Sequence, residues 1–324
     1  MPAVIISIIL CLVANLAGAE PPQPVEYEWL TVDGIGVHVV KINLNDKNVC
    51  VTPAIAARGR GSSESLGSFV ARTHPTAAVT GTFFDMRTLV PVGDIAIAGK
   101  VINRGHLSRG IRAARGNDVS FGRRGCDCKE PWPGAGFVLC SGPRLITNGK
   151  IAISPKSEGF RDRRLCRRSR RTAVGLTDKN KLVFVAVNTP IYLSTLARVM
   201  KKIGCTDAMN LDGGASSALY YRGKTLAKPG RCLTNVLLVY ENRSLFEQHT
   251  AYLAPTWFKA WGPRIDPPVR LSGDSPGSVV GCRRPLCPQY SPLFSPPDRR
   301  LFPPWRYVPD DLSGGGAERF AEVH

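Results

Sequence analysis

Apolar and polar positions alternate along several short stretches of this chain, a pattern that predicts half-buried β-strands. Residues 36–44 alternate in this way, and residues 77–84 form a second β-like run. A third run, 204–211, alternates roughly and leads directly into a segment that contains Asp212. The prediction therefore places Asp212 where a strand ends, and loops that follow strands commonly carry functional groups.

Turn residues between β-like runs predict two hairpins. Asn148-Gly149 is typical of a two-residue hairpin turn, because both residues tolerate positive φ. Asp178-Lys179-Asn180 forms the second predicted turn. The runs joined in this way are 145–146 with 151–153 and 172–177 with 181–187.

Two segments have a helical pattern. Leu193 to Ile203 places apolar residues three and four apart, with Ser194 near its start and Gly204 just past its end. Ser62 to Thr73 begins with hydroxyl residues, which favour the start of a helix. Many strands with only two helices predict an α+β fold with mixed, mainly antiparallel β-sheets.

Composition divides the chain into three parts. The apolar run from Val4 to Leu16 is shorter than the roughly 20 residues of a membrane span, and Ala17-Gly18-Ala19 suits a signal peptidase. Residues 1–19 are therefore predicted to be a cleaved signal peptide, which implies a secreted or periplasmic/lumenal protein. An uncleaved anchor stays open, because no Lys or Arg precedes the apolar run. Residues 20–245 are predicted to form a single domain, and 246–324 a Pro/Arg-rich, largely disordered tail.

Cysteine usage bears on the redox compartment. One of the 10 cysteines, Cys11, lies in the predicted signal peptide, and most of the others are expected to form disulfides in an oxidising compartment. Cys126-Asp127-Cys128 is also a candidate for metal ligation. No second pair at zinc-finger spacing accompanies it, so disulfides are favoured.

The formal net charge of +18 is concentrated in the segments Gly99 to Arg124 and Arg161 to Arg171. Such patches attract phosphorylated sugars, acidic polysaccharide, anionic membranes or nucleic acid. No aromatic interleaving or recognised module accompanies the arginines, so nucleic acid is not an expected partner. A solvated loop is the alternative interpretation, and surface association through the basic patch or the tail stays open.

The segment that begins at Asp212 combines a carboxylate, two glycines and two serines. Adjacent glycines allow a ligand close to the main chain, and successive N–H groups in such a turn can bind an anion. A carboxylate and nearby carbonyls are also hard ligands, so a divalent cation such as Ca²⁺ stays open as a cofactor, without EF-hand spacing or a His cluster to support it. The alternative is an Asp-Gly turn that joins two strands.

Several segments resemble one enzyme family. Asn210 to Ser217 resembles the Asn-Leu-Asp-Gly-Gly-Gly-Ser signature of phosphodiester glycosidases. Thr80 to Phe84 is similar to the family's Asn-Gly-Gly-Phe-Phe strand, and Arg171 to Gly175 to its Arg-Thr-Ala-x-Gly strand. The hairpin at 142–153 and the closing strand, Arg231 with 235–239, follow the same order. The resemblance spans roughly Val37 to Glu241 and rests on several ordered motifs rather than on one.

The resemblance implies hydrolysis of an α-linked sugar 1-phosphodiester, such as one of N-acetylglucosamine, to free sugar and a phosphomonoester. The implied partner is a sugar-phosphodiester or phosphorylated glycan substrate. Such a reaction needs a carboxylate near the oxocarbenium-like transition state and cationic or N–H donors near the departing phosphate. The alternative is a catalytically inactive secreted module that binds anionic glycan.

The resemblance also implies roles for individual residues. Asp212 is the implied base, nucleophile or oxocarbenium stabiliser, with capping of the Gly-Gly turn as its alternative role. Arg171 is implied to bind the phosphate through its planar guanidinium, and Arg231 to form a second clamp or a structural ion pair. One ring of the Phe83-Phe84 pair is expected to face the sugar. The remaining substrate-binding candidates offer polar or main-chain groups: Thr82, Thr172, Asn210, Gly213, Gly214, Ser216 and Ser217.

The chain departs from the family pattern at three positions. Thr80 and Thr82 stand where the family has Asn and Gly, and Thr195 stands where a helix glutamate is common. A bulkier Thr82 narrows the sugar site or offers it a hydroxyl, so the motifs do not identify the sugar. Asp85 and Asp94 are weaker candidates for a second carboxylate.

Overall fold

Three β-sheets organise residues 23–107, 109–114, 117–125 and 132–255, the part of the chain that the computed structural model describes. In chain order the strands are β1 (Val25–Val32), β2 (Ile35–Asn43), β3 (Cys50–Ile55), β4 (Ala77–Thr80), β5 (Ile95–Ile97), β6 (Lys100–Asn103), β7 (Arg109–Ala113), β8 (Val119–Arg123), β9 (Phe137–Cys140), β10 (Arg144–Thr147), β11 (Lys150–Ile151), β12 (Ser169–Thr177), β13 (Lys181–Ile191), β14 (Cys205–Asn210), β15 (Leu219–Tyr221), β16 (Lys224–Ala227) and β17 (Asn235–Tyr240). The helices are α1 (Leu66–Thr73), α2 (Leu193–Lys202) and α3 (Arg243–His249).

The largest sheet has seven strands in the order β1-β2-β13-β12-β14-β10-β11. The second sheet has the order β16-β15-β4-β17-β3, and the third the order β6-β5-β9-β7-β8. The pairings between these strands are antiparallel. The predicted α+β fold with mainly antiparallel sheets is therefore confirmed.

Both predicted hairpins are present. Strands β10 and β11 pair across Asn148 and Gly149, whose φ angles of 49° and 72° are both positive, as a primed two-residue turn requires. Strands β12 and β13 pair across residues 178–180, where Asn180 has a φ of 54°. Local turn chemistry therefore fixed these two pairings.

The helices differ from the prediction at their ends. Helix α2 lies close to the predicted 193–203 and buries Leu196 and Met200 against the largest sheet. Helix α1 begins at Leu66, after Ser65 caps it by accepting a hydrogen bond from the Ser68 amide, so the predicted start at residue 62 was too early. Residue 64 forms a β-bridge instead.

The folded chain continues past residue 245, where the domain was expected to end. Asn242 caps α3 by accepting hydrogen bonds from the amides of Ser244 and Leu245, a capping signal that the prediction missed. Leu253 is buried, and its carbonyl accepts a hydrogen bond from the Ile55 amide. The predicted boundary therefore falls inside α3, while the predicted signal peptide and the tail from residue 256 lie outside the described residues.

A single apolar cluster joins the inner faces of all three sheets. Phe184 contributes from the largest sheet, Val79 and Leu237 from the second, and Ile111 and Leu139 from the third. Strand β4 is buried along its whole length, because β15 and β17 flank it. This burial fixes the position at which the chain leaves β4, just before the Thr80 to Phe84 motif.

The cysteines do not follow the disulfide prediction where the structure describes them. Cys50, Cys140 and Cys205 are free, and each is buried in a different apolar cluster, which keeps the three apart. Cys166 and Cys232 are free and exposed. Burial raises the pKa of Cys205 to about 12, so this thiol stays protonated and packs as an apolar group. The other cysteines lie outside the described residues.

Candidate active site

The loop that follows β14 meets the loop that follows β4 at Asp212. The Asp212 amide donates a 3.0 Å hydrogen bond to the Gly81 carbonyl, and the Leu211 amide donates one of 3.0 Å to the Thr172 carbonyl. The Thr172 hydroxyl donates to the Asp212 carbonyl at 2.5 Å. Three motifs far apart in the sequence, 80–84, 171–175 and 210–217, are thereby brought together around one carboxylate.

Asp212 has a strongly perturbed carboxyl group. Burial raises its pKa from 3.8 to about 6, although hydrogen bonds from Ser216 and from the Gly213 amide, together with the charge of Arg231, act in the opposite direction. The Gly213 amide lies 2.8 Å from the Asp212 Oδ1 atom. Desolvation therefore dominates, and a carboxyl group that titrates near neutral pH is typical of catalytic sites.

The two glycines after Asp212 are required by space and by main-chain conformation. A Cβ atom on Gly213 would lie 2.9 Å from the Arg170 carbonyl oxygen, and Gly214 has a φ of 62°. The amides of Ser216 and Ser217 donate back to the carbonyls of these glycines and close a 3₁₀ turn. Those two N–H groups are therefore not available to the predicted anion nest, and the glycines serve mainly to shape the turn.

Three of the predicted ligand-binding residues keep a buried polar atom without a partner among the described residues. These atoms are the Thr82 hydroxyl, the Asn210 side-chain carbonyl and the Ser217 hydroxyl. An unpaired buried polar group costs about 1–3 kcal/mol, so proteins retain such groups mainly where a ligand, water or ion can pair with them. Thr82 belongs to the 80–84 motif, and Asn210 and Ser217 belong to the 210–217 motif that contains Asp212.

Asn235, which the sequence analysis did not select as a site residue, holds the Thr82 main chain in place. Its Oδ1 atom accepts a 2.7 Å hydrogen bond from the Thr82 amide, and its Nδ2 atom donates a 3.1 Å bond to the Thr82 carbonyl. Asn235 begins β17 and is buried, so both bonds are shielded from water. A polar residue at the start of an otherwise apolar strand was the sequence signal that could have identified it.

Other predicted residues have roles in packing or in turns. Phe83 packs edge-on against Phe160, with 5.9 Å between ring centroids. The Asp85 carboxylate accepts hydrogen bonds from the amides of Arg87 and Thr88, as in an Asx turn. Asp94 is buried, and its carboxylate accepts hydrogen bonds from Arg124, Trp132 and the Gly105 amide. Neither aspartate is a free second carboxylate.

The contacts of Arg171 favour a structural role over the predicted binding of phosphate. The side chain is buried, and its Nη2 atom donates to the carbonyls of Leu165 and Arg167 at 2.8 and 2.6 Å. Its Nε atom donates to the Ile191 carbonyl at 3.3 Å. Because Thr172 contacts the Asp212 loop and successive strand residues point to opposite faces, Arg171 lies on the other side of the sheet. Arg171 therefore fastens the 163–166 turn to the end of β13.

This role predicts that Arg171→Gln lowers the free energy of unfolding by about 2 kcal/mol, because buried carbonyls lose charged donors. The Michaelis constant for a phosphodiester substrate is expected to stay within about threefold of wild type. Urea denaturation and steady-state kinetics measure the two quantities. A large rise in KM without any loss of stability would instead support phosphate binding by Arg171.

Arg231 lies near Asp212 and is exposed. Its Nη1 atom contacts the Met86 sulfur at 2.8 Å, and its charge lowers the Asp212 pKa. Sequence reasoning missed another ionisable group, Glu158, whose pKa burial raises and whose carboxylate accepts hydrogen bonds from the Arg144 amide. Glu158 lies at the end of a short 3₁₀ turn outside every family motif, so no sequence signal marked it.

Two further observations concern metals and membranes. Over residues 23–107, 109–114, 117–125 and 132–255, no three His, Cys, Asp or Glu side chains come together as a metal site would require. None of the helices described there has the length and apolar character needed to cross a membrane.

Comparison with known proteins agrees with the motif assignment. The model of the phosphodiester glycosidase family matches residues 73–240, just over half of the chain and the part that contains every segment around Asp212. No curated protein sequence matches the chain.

Two solved structures have a similar fold. A hypothetical protein from Synechocystis superposes with a TM-score of 0.56 at 16% identity, covering 69% of this chain and 64% of that chain. The catalytic domain of zebrafish N-acetylglucosamine-1-phosphodiester alpha-N-acetylglucosaminidase, auto-inhibited by its pro-peptide, has a TM-score of 0.53 at 22% identity and covers 69% and 85%. The chain thus spans less than two thirds of the Synechocystis protein, and at these identities the likeness shows the fold alone.

Proposed function

This chain belongs to the phosphodiester glycosidase family, and on that premise we propose that it is a hydrolase that cleaves the glycosidic bond of a sugar 1-phosphodiester. The products would be free sugar and a phosphomonoester. The observation that carries the proposal is the half-buried Asp212 carboxyl, which lies between three family motifs and whose pKa is raised to about 6. The name of the zebrafish protein of similar fold supports N-acetylglucosamine as the first sugar to test.

The residues around Asp212 suit the chemistry of this reaction. An ionised Asp212 carboxylate would stabilise positive charge at the anomeric carbon, or attack that carbon directly. The unpaired polar atoms of Thr82, Asn210 and Ser217 would bond sugar hydroxyls. Arg231 is exposed and near the carboxylate, and its positive charge favours the ionised form of Asp212. Phosphate leaves readily, so the scheme needs no strong general acid.

The proposal includes a place of action outside the cytosol, which the predicted signal peptide at 1–19 supports. We also propose surface association through the arginines at 161–171. Not all of these arginines are available for such association, because Arg171 is buried and Arg164 forms an ion pair with Asp162.

The raised pKa of Asp212 predicts how activity depends on pH. If the ionised carboxylate is the active form, kcat/KM falls about tenfold per pH unit as the pH drops below about 6, because the carboxylate becomes protonated. Above that value this group no longer limits the rate. A pH-rate profile on the wild-type protein measures the acid limb, and activity that rises below pH 6 would instead assign a proton-donor role.

The first test is incubation of the mature protein with a panel of α-sugar 1-phosphodiesters that includes N-acetylglucosamine-phospho-mannose. Free sugar and phosphomonoester are measured together, since the proposed bond cleavage releases both in equal amounts. Asp212→Asn serves as the matched inactive variant. Binding of the panel by wild type without release of sugar would favour the alternative, a secreted module that binds anionic glycan.

A further inference from the structure

A surface cleft of about 100 Å³ lies between the β7-β8 edge of the third sheet and the polar loop around residue 158. Leu107, Arg109, Arg123, Ser141, Ser157, Glu158 and Phe160 line it. We propose that this cleft binds the phosphate of the substrate, with Arg109, Arg123 and Ser141 as its ligands. The inference rests on the proposed function and gives the phosphate a site that Arg171 does not provide.

The strongest observation is a pair of like charges. Arg109 and Arg123 are directly opposite each other on the antiparallel strands β7 and β8, so their side chains share one face. Both are exposed, and within the described residues neither guanidinium has a hydrogen bond or an ion pair. Like charges at directly opposite positions destabilise a sheet, and an anion between them removes that cost. Two guanidinium groups also match the oxygens of a phosphate.

Ser141 supplies an independent observation. This residue is 2% exposed and lines the cleft, yet its hydroxyl has no partner among the described residues. Its amide is already used, because it donates to the Arg109 carbonyl at 3.2 Å. The free hydroxyl therefore lies beside the arginine pair, where it can donate to an anion and remove the cost of an unpaired polar group.

Glu158 adds selectivity within the cleft. Its carboxylate accepts hydrogen bonds of 3.1 and 3.3 Å from the Arg144 amide, and burial raises its pKa, with the charge of Arg109 acting in the opposite direction. An ionised Glu158 would repel a bare anion, whereas it can accept hydrogen bonds from sugar hydroxyls. The cleft therefore offers two guanidinium groups to the phosphate and the Glu158 carboxylate to hydroxyl groups on the same ligand.

The cleft is connected to Asp212 through two contacts. Gly142 follows Ser141, and its carbonyl accepts a 3.1 Å hydrogen bond from the side chain of Asn210, two residues before Asp212. Phe160 packs against Phe83, which follows Thr82. These contacts join the segments that carry Ser141 and Phe160 to the segments that carry Asn210 and Thr82, next to Asp212.

The test compares Arg109→Gln/Arg123→Gln with wild type in two assays. Calorimetry with inorganic phosphate is expected to show binding that weakens at least tenfold in the double variant, because two charge-assisted contacts are lost. KM for the phosphodiester substrate is expected to rise at least tenfold, with a smaller change in kcat. Ser141→Ala is expected to weaken phosphate binding by about fivefold.

Matched controls separate the site from net charge and folding. Arg58→Gln/Arg198→Gln removes the same charge from exposed positions, and Ser120→Ala removes an exposed hydroxyl from β8. Both should bind phosphate as wild type does. Circular dichroism and thermal unfolding verify that each variant is folded, and Arg109→Lys/Arg123→Lys, which keeps the charge, should recover part of the affinity.

The outcomes distinguish the cleft from the proposed function. If wild type hydrolyses the substrate and the double variant keeps the same KM and phosphate affinity, the proposal of phosphate binding in the cleft is overturned and the proposed function stays intact. Failure of wild type to bind phosphate would also overturn the cleft. Loss of phosphate binding in the double variant, with no hydrolysis by wild type, would support the cleft and reject the proposed reaction.

Discussion

Asp212→Asn is expected to lower kcat for sugar 1-phosphodiesters by about 10³-fold, because an amide cannot stabilise the positive charge of the transition state or attack the anomeric carbon. The amide is nearly the same size as the carboxyl and still accepts the hydrogen bond from the Gly213 amide. The loop geometry should therefore survive the change. Steady-state kinetics on the best substrate of the panel measures the effect.

The same variant is expected to be more stable than wild type at neutral pH. The unfolded Asp212 titrates near 3.8 and the folded one near 6, so between these values the folded state retains a proton that the unfolded state has released. The free energy of unfolding of wild type thus falls as pH rises through this window. Asn does not titrate. The free energy of unfolding of Asp212→Asn should therefore exceed that of wild type by about 3 kcal/mol above pH 7 and by almost nothing at pH 4.

Urea denaturation of both proteins at pH 4 and pH 8 measures this difference. Asp178→Asn, an exposed position in the β12-β13 turn, is the matched control and should change neither stability nor activity appreciably. An Asp212→Asn protein with more than about a tenth of wild-type kcat would contradict the catalytic role. Equal stability of wild type and Asp212→Asn at pH 8 would show that the carboxyl group is not desolvated.

Gly81→Ala is expected to lower the free energy of unfolding by about 3 kcal/mol. A Cβ atom at this position would lie 1.9 Å from the Asn235 Oδ1 atom and 2.9 Å from its Cγ atom. The Asn235 amide would have to move, which combines overpacking with the loss of its buried bond to the Thr82 amide. The Asp212 loop, which donates to the Gly81 carbonyl, should shift as well.

Denaturant unfolding compares Gly81→Ala with Gly230→Ala. A Cβ atom on Gly230 would meet its nearest neighbour, Ala215, at 3.7 Å, which is an ordinary contact. That control should change stability by less than about 1 kcal/mol. Similar small effects in both variants would mean that the Asn235 side chain moves at little energetic cost, and that its hydrogen bonds hold the Thr82 main chain only weakly.

The fold could be predicted largely because its signals are local. Asn148-Gly149 specifies a primed turn whatever its surroundings, and the apolar spacing of 193–203 specifies one buried helix face. The start of α1 was misplaced because the four hydroxyl or acidic residues before Leu66 all resemble a cap. The β-bridge between Glu64 and Leu233, which lies two residues before β17, decided among them.

The candidate site could be predicted only in part, because a motif fixes residue type but not the surroundings of each side chain. Sequence selected Asp212, but the hydrogen bonds that fix its main chain come from Gly81 and Thr172, more than 35 residues away along the chain. Sequence also selected Arg171, whose guanidinium is occupied by main-chain carbonyls. Nothing in the local sequence separates an arginine that binds ligand from one that fastens a loop.

The amino-acid sequence by itself determined the family, the mainly antiparallel α+β fold and the carboxylate around which the site is built, because short motifs, turn residues and hydrophobic periods act over a few residues. Only the tertiary structure decided that the Asp212 carboxyl is desolvated, that Arg171 lies on the other face of its sheet, and that Arg109, Arg123 and Ser141 share one cleft. These properties depend on which distant segments pack together, since burial and charge are set by neighbours in space.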